Sequence, residues 1–396
     1  VRPQSLYPTL DILPYSQICM TGALLAMFSD KSVGRVSNIQ NTLFVLFGMV
    51  LILSGIMAFR PDVSWEAVNL MLGWFIVYFL TIKLVNSERR LLLFLVLYML
   101  FNLKMAQHGA ITWAQRGFSF SSWGLVGAPG FFRNSGEYAI QMLIYGSLAI
   151  GFVVSLKQYW SKYKRWILYA AAATGYMAVI GASSRGAQIA LAAMGLWMLL
   201  RLRGGFKGLV AIIVIGGLLF SFLPDEQMER LRDIGHDKTS VLRLAHWEYG
   251  IKKVWPENPV LGVGYNNWLY YIYDKIGPNM GPVQVLGYDT DPRWGLMIHQ
   301  QDPHSIYVQG LAELGAAGLF LFLMLALFAF INNARTRRMA REMDNRLISN
   351  LALALDAGMV GFLVAGAFVT VLYYPFFWIQ MTMIVMLNNV ASGMLA

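Results

Sequence analysis

Three stretches of this chain hold residue types that could carry chemistry. The first is Gly181-Ala-Ser-Ser-Arg-Gly-Ala187, set between two hydrophobic blocks. Ser183 or Ser184 suits the cap of a helix starting near Arg185. A helix start offers free N–H groups and partial positive charge to an anion. The Arg185 guanidinium adds a planar fork that matches phosphate oxygens. The bland alternative is an interfacial arginine reaching for lipid headgroups. The second stretch is Asp302-Pro-His-Ser-Ile-Tyr307. Asp302 fits an N-cap and Pro303 the first helical position, which places His304 on the first turn of a helix. A neutral imidazole there suits a general base; the alternative is a structural histidine. Gly315 and Gly318 follow on nearly the same helical face and suit close packing. Glu313 falls on the opposite side from His304 and is not expected to pair with it. The third group is Arg243 and Arg293, which suit a second phosphate contact or simple solvation.

These residues need elements to hold them. Thr239 to Trp255 reads as an amphipathic helix ending at Pro256, with Arg243 and Trp247 four apart on one face. The stretch 224–303 is long, mildly acidic and rich in aromatics, among them Trp247, Trp255, Trp268, Trp294, Tyr265, Tyr270, Tyr271 and Tyr273. Disordered segments are poor in aromatics, so it reads as an ordered loop. Its rings suit sugar stacking or packing onto the membrane surface. Gly262-Val-Gly264 lacks the strand–helix context of a nucleotide site and points to no chemistry. Asp289-Thr-Asp291 is a metal alternative, with turn capping as the plainer reading. His299 and His304 straddle a proline, which is poor zinc geometry. His108, His236 and His246 form no ligand spacing. The single cysteine, Cys19, excludes a disulfide framework and reads as a small buried apolar residue.

The frame around these residues is a membrane. Of 396 residues, 57% are hydrophobic and 13% charged, against about 25% charged in a soluble domain. Apolar blocks of membrane-crossing length lie near 40–59, 64–85, 89–107, 134–156, 165–183, 186–202, 304–331, 347–372 and 375–394, with weaker ones near 14–28 and 208–223. Residue 1 is Val rather than Met, and a further N-terminal span is expected ahead of it. The net charge of +10 reflects topology rather than nucleic acid. More than half of the 31 Lys and Arg sit at 31–35, 83–90, 157–165, 201–207 and 335–346. The positive-inside rule places these connections on the cytoplasmic side. The Arg185 turn, 108–133 and 224–303 then face outward. The expected fold is an all-α polytopic membrane protein with about 11–12 spans. It divides into a helical body at 1–223, an outward loop at 224–303 and C-terminal helices at 304–396.

With these residues placed, a resemblance emerges. The stretch from His304 through Tyr307, Glu313 and Gly315 to Gly318 resembles the signature of the O-antigen ligase and polymerase superfamily. Ser184-Arg-Gly-Ala187 resembles its second landmark. Arg243 to Trp247, followed by Asn258-Pro-Val-Leu-Gly-Val-Gly264, resembles the opening of its large periplasmic loop, and Val1-Arg-Pro-Gln4 the N-terminal region of ligase-like members. The resemblance implies an inverting, metal-independent glycosyltransferase of the C type without a cofactor, in a bacterial inner membrane and acting at the periplasmic face. Its donor would be a glycan on undecaprenyl diphosphate. Its acceptor would be lipid A–core for a ligase, or a glycan for a polymerase; a protein hydroxyl is a third possibility. By resemblance, His304 would be the base and Arg185 would hold the diphosphate, helped by Arg243 or Arg293. Ser184, Tyr307 and Trp247 complete the expected donor and glycan contacts. Membrane lipids are the other partner, and nucleic acid is excluded. A transporter or flippase is the rival class. It would need ionisable groups near the midplane, where Asp356 is the main candidate.

Overall fold

The computed structural model describes residues 14–30, 32, 34, 36–120, 124–201, 238–276, 284–285, 288–289 and 301–395. Val1-Arg-Pro-Gln4, the weak block at 208–223, Arg293, Asp291, Trp294, His236 and His299 lie outside the described residues. The long helices are α1 (Tyr15–Ser29), α2 (Ile39–Ile56), α3 (Pro61–Leu84), α4 (Glu88–Gln115), α5 (Ser135–Leu156), α6 (Lys162–Gly181), α7 (Arg185–Arg201), α8 (Lys238–Tyr249), α9 (Ile306–Glu342), α10 (Arg346–Gly366) and α11 (Pro375–Leu395). The one described β pairing is a two-residue antiparallel contact, Gln284–Val285 with Tyr288–Asp289. The protein is an all-α, multi-pass membrane protein.

Six described helices are both long and apolar enough to cross a membrane: α2, α3, α4, α5, α9 and α10. α1 and α7 have 15 and 17 residues and are short for a span. α11 falls outside the six for a different reason. It carries Gln380, Thr382 and Asn388, and all three are buried in protein. Its neighbours are side chains rather than hydrocarbon, so its polarity is met from within. Trp378 Nε1 donates to the Leu372 carbonyl at 3.1 Å, and Gln380 Nε2 to the Leu355 carbonyl at 2.8 Å. α5 is central too, with 83% of its apolar window buried against 22% for α4. One core joins α2–α7 to α9–α11, built on Phe44, Tyr78, Leu143, Phe322, Phe362 and Phe377. Cys19, expected to be buried, is exposed on α1, a helix that buries none of its residues.

Two connections meet at one end of this bundle. Arg90 pairs with Asp30 at 2.7 Å, and Asn86 donates to the Ser32 carbonyl at 2.8 Å. Mid-span Asp356 is buried and held by Arg337, with Asn333 Nδ2 donating to it at 2.8 Å. A buried carboxylate satisfied by an arginine and an amide needs no transported ion to explain it.

At the other end, α9 breaks. Gly315 has φ 66° and ψ −168° inside an otherwise continuous helix. A break orphans backbone groups on both sides, and bare lipid satisfies none of them. The loop segment 259–264 supplies the partners. Val263 N donates to the Ala312 carbonyl at 2.9 Å and Gly264 N to the Glu313 carbonyl at 3.1 Å. In return, Ala316 N donates to the Pro259 carbonyl at 2.8 Å and Ala317 N to that of Val260 at 3.1 Å. Ser54 Oγ adds a 2.9 Å bond to the Glu313 carbonyl. Gly262, Gly264 and Gly315 all have positive φ, and a Cβ on any of them would run into neighbouring atoms, backbone among them. These glycines therefore serve a loop-to-helix zipper. Gly315 and Gly318 are both buried, as close packing requires; a Cβ on Gly318 would meet Leu314 of its own helix.

Candidate active site

The loop is fastened next by its aromatics. Trp268 and Tyr271 are buried with Val254, Val263 and Ile272 against Val308 and Ala312 of α9. Trp268 N donates to Glu313 Oε1 at 3.0 Å, and its Nε1 to the Gln301 carbonyl at 3.0 Å. Glu313 also accepts from Gln309 Nε2 at 3.3 Å. Its carboxylate thus ties the loop to the first segment of α9, and no bond joins it to His304, as expected. Most of the described loop aromatics are packing residues; Tyr270 and Tyr273 stay exposed.

α8 runs over this platform. The expected helix forms as Lys238–Tyr249 and continues through a wider turn, Gly250–Val254, to Trp255-Pro256. Trp247 Nε1 donates to the Pro303 carbonyl at 3.1 Å, which fixes α8 beside the residue before His304. His246, fully buried, has its ring centroid 6.2 Å from that of His304.

His304 itself does not sit on the first turn of α9. The helix starts at Ile306 with Ser305 as N-cap, its hydroxyl accepting from Val308 N at 3.5 Å. Asp302 and Pro303 lie upstream and are not the cap and first position. His304 takes φ 48°, and its N–H donates to Thr370 Oγ1 at 2.8 Å. That bond, to a residue in the turn between α10 and α11, holds His304 in the left-handed region. Burial lowers its pKa to about 4, and the charges of Arg243 and His246 push the same way. The imidazole is therefore neutral near pH 7.

Arg185 opens α7 as expected, after Ser183 with φ 53°; Gln188 N donates to the Ser184 carbonyl at 3.0 Å. The Ser184 hydroxyl lies near Gly136, in the first turn of α5. Asn134 and Glu137 close a capping box on that turn. Arg185 and Arg243 line one cavity of about 180 Å³ with Gly186, Ser240, Trp247 and Phe368. Gly186 leaves room for Phe368: a Cβ there would lie 2.9 Å from its ring. Tyr307 stands apart from this cavity. Its hydroxyl donates to the Leu363 carbonyl at 2.9 Å, which ties α9 to α10.

The fold therefore gathers Arg185, Arg243 and Trp247 around one cavity, sets His304 within electrostatic reach of Arg243, and gives Tyr307 to packing. Thr370, His246 and Phe368 were missed. Nothing near them in sequence signals their role, since each acts across the fold. Among the described residues no three His, Cys, Asp or Glu come together as metal ligands. Residues 170–323 match the O-antigen ligase family, a stretch that runs from α6 through Arg185, α8 and the loop zipper into α9. No curated protein matches the chain.

Proposed function

From the O-antigen ligase region that this multi-pass membrane protein carries, we propose that it is a glycosyltransferase acting on a glycan linked to undecaprenyl diphosphate. The observation that carries the reading is the shared cavity of Arg185 and Arg243, two cations from distant parts of the chain set beside a neutral histidine. A diphosphate leaving group calls for fixed positive charge, and arginine keeps its charge at any working pH. Charge-assisted hydrogen bonds are worth about 1.5–3 kcal/mol each, and they act where charge develops as the bond breaks.

In the proposed reaction, the acceptor hydroxyl oxygen attacks the anomeric carbon. The bond from that carbon to the diphosphate oxygen breaks with its electron pair. The hydroxyl proton passes to His304, the configuration inverts, and undecaprenyl diphosphate leaves against Arg185 and Arg243. Arg243 disfavours the imidazolium, so the proton is readily passed on. No metal is required, because the arginines supply the charge. The site would face the periplasm of a bacterial inner membrane, with Ser184 and Trp247 completing the donor contacts. Arg293 is a further candidate for the diphosphate.

We assign lipid A–core as the acceptor, which makes the protein a ligase. Purified protein, lipid-linked glycan and alternative acceptors test this. Modification of lipid A–core supports the ligase. Lengthening of the lipid-linked chain would overturn it in favour of a polymerase, and no transfer to any acceptor would sink the transferase reading.

A further inference from the structure

A second cavity lies toward the far end of the turn that holds His304. Phe368 lines the arginine cavity, Thr370 binds the His304 N–H, and Pro375 lines this other space. It measures about 300 Å³, between α1, α3, α4, α5, the start of α11 and the loop 129–132. That is the lower end of the small-molecule range, about 300–1,000 Å³, and it fits a ring or two.

None of its lining residues is charged. Trp74, Tyr98, Phe101, Phe131 and Phe132 give aromatic faces, and Trp74 and Phe131 stand 6.0 Å apart. Among them sit two buried amides, Asn102 and Gln141. Gln141 Nε2 donates to the Tyr98 hydroxyl oxygen and to Asn102 Oδ1, both at 2.7 Å, and Asn102 Nδ2 donates to the Tyr98 carbonyl at 2.8 Å. Among the described residues no donor reaches Gln141 Oε1, and no acceptor takes the Tyr98 hydroxyl proton. Gln141 is buried as a residue, at 6% exposure, while its Oε1 is not sealed from the surface and is open to the cavity. Polar groups inside membrane helices are costly, and unlike the amides of α11 these leave hydrogen-bonding capacity open to a cavity.

An open acceptor, an open hydroxyl donor and flat aromatic faces, without charge, describe what a neutral pyranose needs. Its hydroxyls bond the amide and phenol, and its C–H face stacks on a ring. A phosphate has no cation here, and an acyl chain would leave the amides unanswered. We infer that this cavity is a carbohydrate subsite, seating a neutral sugar of the acceptor. The acceptor assignment rests on the proposed transferase reading, because it follows from the order along 368–375: arginine cavity, His304 contact, neutral cavity.

The test measures binding to the full-length protein in detergent. The probes are a panel of neutral methyl pyranosides, read by saturation-transfer NMR, and inorganic pyrophosphate, read by calorimetry. Gln141→Leu and Phe131→Ala should each weaken the best pyranoside about tenfold or more, roughly the effect of one lost contact. Both should still bind pyrophosphate, which reports a folded arginine cavity; Phe131 lies on the loop outside the spans, which guards against misfolding. Arg185→Ala should give the reverse pattern. Pyranoside binding that is absent, or indifferent to both Gln141→Leu and Phe131→Ala, overturns the subsite. Pyrophosphate binding that is indifferent to Arg185→Ala counts against the transferase reading instead.

Discussion

The two cavities served by the turn between α10 and α11 differ in what they ask of a ligand. One is lined by Arg185 and Arg243 with Trp247 and Phe368; the other by neutral amides and rings. The first suits a group that gains negative charge as it leaves. The second suits a group that stays neutral and must be held still. His304 hangs from Thr370 on the same turn. Under the proposed transferase reading these are two kinds of hold, differing in charge, and the contrast teaches where each substrate end would go.

The largest effect should come from His304, which Thr370 holds within electrostatic reach of Arg243. His304→Ala is expected to cut transfer by about 10²–10⁴-fold, the usual contribution of a general base. Measured with saturating donor and acceptor, the loss should fall on kcat; a variant within a factor of about three of wild type would remove the base from the scheme. Arg185→Ala comes next, at about 10–10²-fold, from one charge-assisted bond of about 1.5–3 kcal/mol. Arg185→Lys should recover only part of this, since an ammonium lacks the guanidinium fork.

Breaking the loop-to-helix zipper should act on stability first. Gly262→Val puts a branched side chain at φ +70° against the Ala312 and Glu313 backbone. Backbone strain alone costs about 1–3 kcal/mol, before the lost zipper bonds. A lowered Tm with reduced transfer is expected, and an unchanged Tm would deny the zipper its role. The smallest effect sharpens the electrostatics. His304 has a pKa lowered to about 4 by burial, Arg243 and His246. Transfer should therefore stay level through mildly acidic pH and fall only as the imidazole protonates near about 4. Arg243→Gln removes one of the charges that oppose protonation, so the acid limb should move up, toward the ordinary histidine value. A limb that stays in place, or moves down, would mean that Arg243 does not act on His304.

Much of the frame was legible because it is local. Spans follow from runs of apolar residues, and α8 placed Arg243 and Trp247 on one face by its period alone. Arg185 at a helix start was readable from Ser183 and Ser184 before it. The site's finer geometry was not local. His304 was read onto a first turn because Asp302-Pro303 is a good helix opening, but a bond to Thr370, 66 residues away, holds it outside. Gly262-Val-Gly264 had no readable purpose until the break at Gly315 supplied its partners. Likewise, Asn102 and Gln141 belong to different helices, and only their meeting with Tyr98 makes a neutral cavity. Tyr307, a reasonable ligand contact by motif, spends its hydroxyl on Leu363.

The most direct test is a structure of the protein with undecaprenyl diphosphate bound. The diphosphate should lie between Arg185 and Arg243, beside Trp247 and Phe368, with its terminal phosphate, the one released from the sugar, toward His304. A diphosphate seated away from both arginines, or in the neutral cavity beside Gln141, would contradict the assignment of the leaving group and the mechanism built on it.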